Sequence, residues 1–351
     1  MKLLKLIWIV LFVFSIPKYA KAQNKKIYKI HTIAFYNLEN LFDTINDLEK
    51  NDEDFLPNGS YKYNSKVYHD KLNNLSSILA QLGTEITPDG AALIGVCEVE
   101  NKSVLVDLVK EKSIANRNYE IVHYDSPDKR GIDVGLLYNP KYFKVLDSKN
   151  LYVQLPDRDG RTNYTRDVLW VKGTFLGEEM HVFVNHWPSR RGGEAKSSPL
   201  REMASAVAKK KIDEIQKANP KAKIVLMGDL NDDPVNNSVK KILGAKGSKE
   251  GMKSKGFYNP WMTMYKNGIG TLAYNDAWNL FDQIIVSGAM VNDNTEGFQF
   301  YKAKIFKRDY MFSTEGRYKS YPKRAYSFGT YIGGYSDHLP TYLIMVRESK
   351  K

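Results

Sequence analysis

Residues Lys223–Asn231 read KIVLMGDLN, an apolar run that ends in a glycine, an acid and an amide. A short apolar run of this kind predicts a buried β-strand. Asp229 and Asn231 follow at the point where such a strand leaves the core. Other apolar runs along the chain are also followed by acids, amides or histidines. This recurring pattern determines the predicted architecture.

Strand-like runs alternate with two helical patterns along the chain. Besides Lys223–Met227, the strand-like runs are Lys29–Tyr36, Ala91–Val99, Asp133–Tyr138, Val168–Phe175, Met180–Val184, Leu280–Ser287 and Thr341–Val346. The helical patterns are Lys66–Leu82, which Gly83 ends, and Leu200–Ala218, which Pro220 ends. A polar turn at Glu178 predicts a hairpin. Antiparallel and helix-connected strands together predict an α/β protein with helices outside its sheets.

The composition is that of a globular protein, because 42% of the 351 residues are hydrophobic and 26% are charged. It excludes a disordered, collagen-like or multi-span membrane chain. We find no internal repeat and no long linker. Residues 23–351 are therefore predicted to form one domain, with the segment near 244–270 as a loop insertion. Cys97 is the one cysteine, and its apolar neighbours indicate a small buried hydrophobe.

The N-terminus has the pattern of a secretory signal peptide over residues 1–22. Met1–Lys5 is basic, Leu6–Ile16 is apolar but short for a membrane span, and Ala20-Lys21-Ala22 offers small residues for cleavage. We expect export to the periplasm or the extracellular medium and no transmembrane span after cleavage. An uncleaved amphipathic anchor is the alternative.

The chain is basic, with 52 Lys and Arg against 40 Asp and Glu and a net charge of +12. The first 22 residues carry four lysines and no acid, so the mature chain would keep a charge of +8. A basic balance favours a polyanionic partner, either nucleic acid or anionic head groups. We infer no stable protein partner.

Polar side chains stand where five of the apolar runs end or begin. They are Asn37 and Glu39, Glu98 and Glu100, Asn185 and His186, Asp229 and Asn231, and Asp337 and His338. If the strands pack side by side, these residues meet at one rim, where open sheets place ligand sites. Carboxylates and amides suit a hard cation, Mg²⁺ first, with Mn²⁺ or Ca²⁺ as alternatives. A divalent ion, a histidine and flanking arginines are what phosphoester hydrolysis needs.

The ordered motifs resemble those of the endonuclease/exonuclease/phosphatase superfamily. They are Asn37/Glu39, Glu98, His186, Gly228–Asn231, Asp282 and Ser336–Pro340, and the resemblance runs from about residue 30 to 347. Members include pancreatic-type deoxyribonuclease, exonuclease III, neutral sphingomyelinase and inositol polyphosphate 5-phosphatase. The resemblance implies a four-layer α/β sandwich, in which two packed mixed β-sheets are flanked by helices.

The resemblance also implies a metal site. Glu98 matches the glutamate that binds the metal, and Glu39 and Asp337 match its supporting ligands. Glu100 lies two residues beyond Glu98 on the same predicted strand, so it is the alternative ligand that the residues alone allow.

The roles that the resemblance implies for the reaction fall on five further residues. Asn37 and Asn231 would contact the scissile phosphate or the attacking water. Asp229 would orient or deprotonate that water. His338 would bind the phosphate and act as acid or base, with Asp282 holding its ring.

His186 matches a second histidine of the deoxyribonuclease and sphingomyelinase branches, where it stabilises or protonates the leaving group. In deoxyribonuclease-like members this histidine pairs with a glutamate that this sequence does not show. Asp133 is the candidate substitute, although an acid at the start of a strand equally caps a turn. The other histidines, which we expect at the surface or the edge of the core, are His31, His69, His123 and His181.

Arginines and aromatic residues in the loops are candidate substrate contacts. The arginines Arg130, Arg166, Arg190 and Arg191, and the amide of Asn185, are expected to bind substrate, because guanidinium groups pair with phosphate. Aromatic side chains that could stack on bases, or pack in the core, are Trp187, Trp261 and Tyr265. Packing is the expectation for Trp278.

A secreted, metal-dependent nuclease acting on DNA or RNA is the function that these features favour. The alternative is a phosphatase or phospholipase C-type hydrolase acting on inositol phosphates or sphingomyelin. The segment Tyr258–Tyr265 would be the membrane-binding tip of such a lipase. A non-catalytic binding protein on the same scaffold is less compatible with the intact acids and histidines.

Overall fold

The structure, a computed structural model, describes residues 27–157, 160–292 and 296–349. The expected signal peptide, residues 1–22, lies outside the described residues. Among the described residues, no helix has both the length and the apolar character that a membrane crossing requires. The described helices are α1 (Ser65–Leu79), α2 (Lys102–Lys110), α3 (Glu194–Ala218) and α4 (Trp261–Lys266).

Seventeen strands form two large and two small sheets in the described part of the chain. They are β1 (Tyr28–Leu41), β2 (Ala91–Val99), β3 (Glu120–His123), β4 (Asp133–Tyr138), β5 (Phe143–Leu151), β6 (Val168–Phe175), β7 (Glu178–His186), β8 (Lys223–Asp229), β9 (Ala245–Lys246), β10 (Phe257–Tyr258), β11 (Leu272–Tyr274), β12 (Ala277–Asn279), β13 (Asp282–Ser287), β14 (Gln299–Ile305), β15 (Tyr326–Ser327), β16 (Thr330–Tyr331) and β17 (Thr341–Glu348).

Both large sheets are mixed. The six-stranded sheet has the order β14-β17-β1-β2-β4-β3, and β1 and β2 are parallel within it. The seven-stranded sheet has the order β5-β6-β7-β8-β13-β10-β9, and β7 and β8 are parallel. The pairs β11-β12 and β15-β16 are separate hairpins. The hairpin expected at Glu178 is present as the antiparallel pair β6-β7.

Three buried clusters account for the layers. The first lies between the two sheets and joins Phe35 of the six-stranded sheet to Met227 of the seven-stranded sheet. A Cβ atom on Gly95 would lie only 2.4 Å from the Met227 sulfur, so glycine lets the sheets approach. Helices α1 and α2 cover the outer face of one sheet, and α3 covers the outer face of the other. The four-layer sandwich is confirmed.

The eight predicted strands and both predicted helices are present. Several extend beyond their predicted ends, whereas α1 ends at Leu79 instead of Leu82 and β13 begins at Asp282 instead of Leu280. The elements that the sequence did not predict are α2, β3, β5, β14 and the short strands β11, β12, β15 and β16. Strand β5 lies at the edge of the seven-stranded sheet and is largely exposed. Its sequence therefore lacks the apolar run by which the other strands were predicted. The segment expected as a loop insertion, 244–270, contributes β9 and β10 to the edge of the seven-stranded sheet and forms α4, whose Trp261 joins the cluster between the sheets.

Candidate active site

Strand register brings the site together at one end of the two sheets. In the seven-stranded sheet, Asp229 ends β8 and lies opposite both His186 of β7 and Asp282 of β13. In the six-stranded sheet, Asn37 of β1 lies opposite Cys97 of β2, so the next residue, Glu98, stands beside it. Each sheet therefore presents its acids toward the same rim, as the strand ends predicted.

The amide of Asn37 joins the two sheets. Its Nδ2 donates to Glu98 Oε1 at 3.3 Å and to Asp229 Oδ2 at 3.1 Å. Its Oδ1 accepts from the backbone N of Glu39 at 2.8 Å. One neutral side chain thus bridges two carboxylates of different sheets. Among the described contacts, it is the hydrogen-bonded link between Glu98 and Asp229.

The chain around Glu98 takes backbone conformations that L-residues rarely adopt. Glu39, Asn40 and Glu98 have φ of 47°, 54° and 58°, and Asn231 has φ of 48°. The turn at Asn40 directs its backbone N to Glu98 Oε2 at 3.0 Å. Such conformations cost free energy and persist where the surroundings fix them, which is common at ligand sites. The turn re-aims Glu98 toward the rim.

His338 is bonded to one acid and faces another across its ring. Its Nδ1 lies 2.7 Å from Asp282 Oδ2, and its Nε2 lies 3.9 Å from Asp229 Oδ2. Burial opposes the charged ring, but Asp282 and Asp229 outweigh it and raise the pKa of His338 well above its ordinary value. The imidazole is therefore a charged donor at neutral pH, with Nε2 turned toward the site.

His186 lies against the same acids without a carboxylate of its own. Its Nε2 is 3.7 Å from Glu98 Oε1 and 3.6 Å from Asp229 Oδ2, while its buried Nδ1 has no hydrogen-bond partner. Burial, reinforced by Arg166 and Arg130, lowers the pKa of His186 well below its ordinary value. This ring is neutral where the His338 ring is charged.

Asp133 does not pair with His186, so that hypothesis is wrong. Asp133 Oδ1 accepts from the backbone N of Ser126 at 2.8 Å, and its Oδ2 lies 3.3 Å from His123 Nε2. Strand β3, which was not predicted, carries His123 beside β4 and supplies this partner. The turn interpretation of Asp133 is the one that the contacts favour.

Glu39 and Asp337 form the acidic margin of the rim. Burial, and then the charge of Asp337, raises the pKa of Glu39 to about 8. Burial opposes ionisation of Asp337 too, but His338 and Arg324 hold its pKa below the ordinary value. Arg324 Nη2 donates to Asp337 Oδ2 at 2.6 Å. The sequence reading missed Arg324 and also Lys71, whose Nζ donates to the Glu39 carbonyl at 2.5 Å.

Asp229 and Asn231 are fixed by the turn that follows β8. The backbone N of Asn231 donates to Asp229 Oδ1 at 2.9 Å, and Asn231 Nδ2 donates to the Trp187 carbonyl at 3.0 Å. Burial, opposed by His338 and reinforced by Asp282 and Glu98, raises the pKa of Asp229 to about 7. A carboxylate with this pKa can accept a proton near neutral pH.

The acids of the rim match the needs of a divalent cation. Glu98 and Asp229 share the Asn37 amide, and Asp229 and Asp337 lie 3.9 and 4.0 Å from His338 Nε2. Burial among like charges raises the pKa of Glu39 and of Asp229. Oxygen donors of this kind are what hard cations prefer. Cys97, whose thiol also lies near His186 and Asp229, offers a soft sulfur donor, which a hard cation does not prefer.

Glu98 and Glu100 face different surroundings. Glu98 contacts Asn37 and His186 at the rim. Glu100 is buried away from these residues and accepts from the backbone N of Asp43 at 2.6 Å. The geometry therefore favours Glu98 for the catalytic metal.

Two of the four candidate arginines lie near His186. Arg166 is buried, and its guanidinium donates to Asp128 Oδ2 at 3.3 Å and to the Trp187 carbonyl at 2.6 Å. Arg130 has a half-exposed side chain, and its charge reaches His186. Of the two, Arg130 is the one that remains accessible to a substrate.

The other candidate contacts are engaged elsewhere or lie at the surface. Arg190 binds Asp233, Glu194 and the Asn231 carbonyl and stacks on Phe281. It therefore stabilises the turn that carries Asn231. Arg191 is exposed.

Asn185 is fully buried. Its Nδ2 donates to the Met227 carbonyl, and its Oδ1 accepts from Trp187 Nε1. The contacts of Asn185 favour a structural role over the expected substrate contact.

Most of the candidate aromatic residues pack in the core. Trp187 and Trp261 are buried, so the suggestion that they stack on bases is wrong. Met262 is buried beside Trp261 within Tyr258–Tyr265, so that segment does not form the membrane-binding tip considered for a lipase. Trp278, expected to pack, is 36% exposed on the β11-β12 hairpin.

A family profile described as the endonuclease/exonuclease/phosphatase family matches residues 32–347, which is most of the chain. The chain belongs to this family. Members are divalent-metal-dependent hydrolases of phosphoric esters, so the protein is a metal-dependent phosphoesterase of this family. No curated protein sequence matches the chain.

Solved structures of the same fold include two proteins from Bacteroides thetaiotaomicron. One is an endonuclease/exonuclease/phosphatase family protein, with 15% identity, a TM-score of 0.56 and coverage of 92% of this chain and 97% of that chain. The other is a mannosyl-6-phosphatase, with 15% identity, a TM-score of 0.54 and coverage of 90% and 99%. A third is TDP2 of D. rerio in complex with a single-strand DNA product, with 15% identity, a TM-score of 0.52 and coverage of 90% and 98%. At these identities the likeness shows the fold alone.

A cavity lies next to the acidic margin of the rim, which Glu39 and Asp337 form. The sequence did not predict it. It has a volume of about 180 Å³ and reaches Asp337. Its lining includes three tyrosines and two arginines, Tyr274, Tyr318, Tyr321, Arg317 and Arg324. Tyr274 comes from the β11-β12 hairpin and the others from residues 317–324, segments whose sequences show no motif, so only the tertiary structure reveals the cavity.

Proposed function

We propose that the protein is an exported, Mg²⁺-dependent phosphodiesterase that hydrolyses nucleic acid. The observation that supports the chemistry is the cluster at the rim, in which Asn37 donates to Asp229 and both His186 Nε2 and His338 Nε2 lie within 4 Å of it. The observation that favours nucleic acid is the cavity of tyrosines and arginines beside Asp337.

Glu98 would hold the metal ion, with Glu39 and Asp337 in support. When bound, the ion neutralises charge on the phosphoryl group and on the leaving oxygen. The Arg324 contact with Asp337 and the backbone N of Ala325, which donates to Glu39 Oε2 at 2.7 Å, keep both supporting acids turned toward the rim. Mg²⁺ is the proposed metal because these donors are oxygen atoms.

Asp229 takes a proton from the attacking water in this proposal, because its pKa of about 7 suits a general base. Asn37 and Asn231 orient the water and the phosphate. His338, charged and held by Asp282, donates a hydrogen bond from Nε2 to a phosphate oxygen.

His186 contributes a hydrogen bond in this proposal and does not supply a proton. Its lowered pKa and its unpaired Nδ1 describe a neutral ring. A neutral imidazole carries one N–H, which suits it to stabilise the leaving oxygen. The proton-donor role suggested by the family resemblance required an acidic partner, and Asp133 is not that partner.

The cavity beside Asp337 supports the nucleic-acid substrate. Tyrosine faces stack on bases, and arginine binds phosphate with paired donors. Arg324 already lies over the Tyr318 ring, with 5.8 Å between guanidinium carbon and ring centroid. A volume of about 180 Å³ admits a single ring system next to the reacting phosphate. The basic net charge adds long-range attraction for a polyanion.

The test compares substrates with and without a base. Purified protein is incubated with Mg²⁺, or with chelator, on single-stranded DNA, RNA, bis-p-nitrophenyl phosphate, mannose 6-phosphate and sphingomyelin vesicles. We expect Mg²⁺-dependent cleavage of the oligonucleotides. Release from sphingomyelin or mannose 6-phosphate alone would contradict the nuclease proposal.

The cavity is tested by Tyr274→Ala. Loss of one stacking contact should raise KM for an oligonucleotide by about tenfold and leave the rate on bis-p-nitrophenyl phosphate unchanged. Tyr301→Ala is the matched control, because Tyr301 is 65% exposed on β14 and Tyr274 is 68% exposed. An equal effect of both variants would reject the cavity as a base site.

A phosphatase acting on a sugar phosphate is the second candidate. The small cavity and the structural likeness to a mannosyl-6-phosphatase favour it. Turnover of mannose 6-phosphate above that of every oligonucleotide would establish it in place of the nuclease.

We propose export on the pattern of residues 1–22. Sequencing the N-terminus of the protein isolated from its native cells tests this, because cleavage predicts a chain that begins at Gln23. A chain that begins at Met1 would contradict it.

A further inference from the structure

A histidine and two aspartates converge where the chain passes from β3 to β4. One ring nitrogen of His123 and one carboxylate oxygen each of Asp125 and Asp133 lie within 4.8 Å of one another. His123 ends β3, Asp133 begins β4, and Asp125 lies in the turn between the two strands. The proposed reaction uses none of these three side chains, so their convergence needs a separate explanation.

The His123 ring is buried and lacks a hydrogen bond at one nitrogen. The side chain is 2% exposed, and its Nε2 has no hydrogen-bond partner. The same Nε2 lies 3.3 Å from Asp133 Oδ2, so it faces a carboxylate oxygen without a hydrogen bond of acceptable geometry. A buried polar atom without a partner costs free energy. A cation bound to both atoms would remove that cost.

The distance between these two atoms fits joint coordination of one ion. Zinc binds imidazole nitrogen at about 2.0–2.1 Å and carboxylate oxygen at about 2.0–2.2 Å, usually in tetrahedral geometry. Two such ligands of one tetrahedron lie about 3.4 Å apart. The separation of His123 Nε2 and Asp133 Oδ2, 3.3 Å, agrees with this value.

Both aspartates are available as ligands. Asp133 Oδ1 accepts from the backbone N of Ser126 at 2.8 Å, which fixes the carboxylate with Oδ2 toward the ring. Such a hydrogen bond behind a ligating carboxylate is typical of metal sites. The Asp125 side chain is 79% exposed, with Oδ1 at 3.9 Å from His123 Nδ1, so it can turn toward an ion without loss of packing. Among the described ion pairs, neither aspartate has a Lys or Arg partner.

We propose that His123, Asp125 and Asp133 bind a Zn²⁺ ion outside the catalytic cluster, with water as the fourth ligand. The imidazole among the ligands favours zinc over Mg²⁺ and Ca²⁺, which prefer oxygen donors alone. The ion joins the end of β3 to the start of β4 and closes the turn between them. That turn carries Arg130, the accessible arginine near His186, so the ion also holds this arginine in place.

The binding test uses the full chain after removal of metals with a chelator. Isothermal titration with Zn²⁺ compares the parent with His123→Asn and Asp125→Asn. We expect the parent to bind one Zn²⁺ per chain more than His123→Asn does, and we expect Asp125→Asn to weaken that site by about tenfold or more. At a hundredfold excess over Kd, Zn²⁺ should raise the Tm of the parent by about 5 °C more than that of His123→Asn. Equal stoichiometry and affinity in all three proteins would overturn the proposal.

Exposed residues of the same types provide matched controls. His69→Asn and Asp147→Asn each remove an exposed side chain of the same kind and should leave Zn²⁺ binding unchanged. An equal loss in these controls would overturn the proposal. Because Asp125 is exposed, Asp125→Asn keeps the test decisive if His123→Asn does not fold.

Anomalous diffraction from crystals grown with Zn²⁺ locates the ion. We expect a peak between His123 Nε2 and Asp133 Oδ2, in addition to any peak at the catalytic acids. Absence of a peak beside His123 would overturn the proposal.

Discussion

The two histidines at the rim share a neighbour, Asp229, but their pKa values are shifted in opposite directions. His338 and His186 both bring Nε2 to within 4 Å of Asp229 Oδ2. Asp282 holds the other nitrogen of His338, whereas the other nitrogen of His186 has no partner. The pKa of His338 is consequently raised and that of His186 lowered.

This difference shows that the partner of Nδ1 sets the charge of the imidazole ring. A carboxylate on Nδ1 fixes the tautomer and stabilises the imidazolium. Without one, burial and the charges of Arg166 and Arg130 keep the ring neutral. We expect the two rings to have different roles in the reaction. His338 would act as a charged hydrogen-bond donor and His186 as a neutral one.

Removal of the charged ring should have the largest effect. His338→Ala is expected to lower kcat by about 10³-fold or more, because it deletes an electrostatic and acid–base group at the phosphate. Steady-state kinetics on bis-p-nitrophenyl phosphate measures it. His69→Ala is the control, since His69 is exposed outside the site. Near-normal turnover of His338→Ala would contradict the role.

Removal of the carboxylate behind the ring should have the next largest effect. Asp282→Asn is expected to lower kcat by about 10²-fold or more. Because Asp282 raises the pKa of His338, its loss lowers that pKa. If the imidazolium is the active form, the alkaline limb of the rate profile should move to lower pH. If the alkaline limb of the pH–rate profile stays at the same pH, Asp282 does not control the charge of His338.

Substitution of the neutral ring should have a smaller effect. His186→Asn is expected to lower kcat by about tenfold, the value of one hydrogen bond. Since the pKa of His186 already lies well below its ordinary value, the shape of the profile between about pH 6 and 9 should not change. The loss of a titration in that range would show that His186 carries a proton after all.

Substitution of Arg130, the accessible arginine near His186, should have the smallest effect. Arg130→Ala is expected to raise KM for an oligonucleotide about threefold and to reduce the dependence of KM on salt, because one phosphate contact is lost. The rate on bis-p-nitrophenyl phosphate should hardly change. KM measured at several salt concentrations checks this, and an unaltered salt slope would remove Arg130 from the substrate path.

The rim was predictable because the ends of strands are marked in the local sequence, and the expectation that they meet required only that the strands pack side by side. Parallel β7 and β8 end at the same edge, which places His186 beside Asp229. The resemblance to a family added the His338 and Asp282 pair, which lies 56 residues apart in the chain. These predictions required only the strands with clear apolar runs.

The residues that contact the acids could not be predicted from the sequence, because these contacts form only when distant segments pack together. His123, the partner of Asp133, lies on β3, a strand too short to show a pattern. Lys71, which bonds the Glu39 carbonyl, is a buried lysine on α1, and its sequence context is that of any surface lysine. Tyr274 reaches the cavity through a hairpin of three-residue strands. Such contacts depend on tertiary packing.

Anomalous diffraction from crystals grown with Mn²⁺ tests the central claim, that acids of both sheets gather around one catalytic ion. We expect an anomalous peak in contact with Glu98, and no peak there in crystals of Glu98→Gln. A peak that lies away from Glu98, or one that survives in the Glu98→Gln crystals, would show that the ion binds elsewhere.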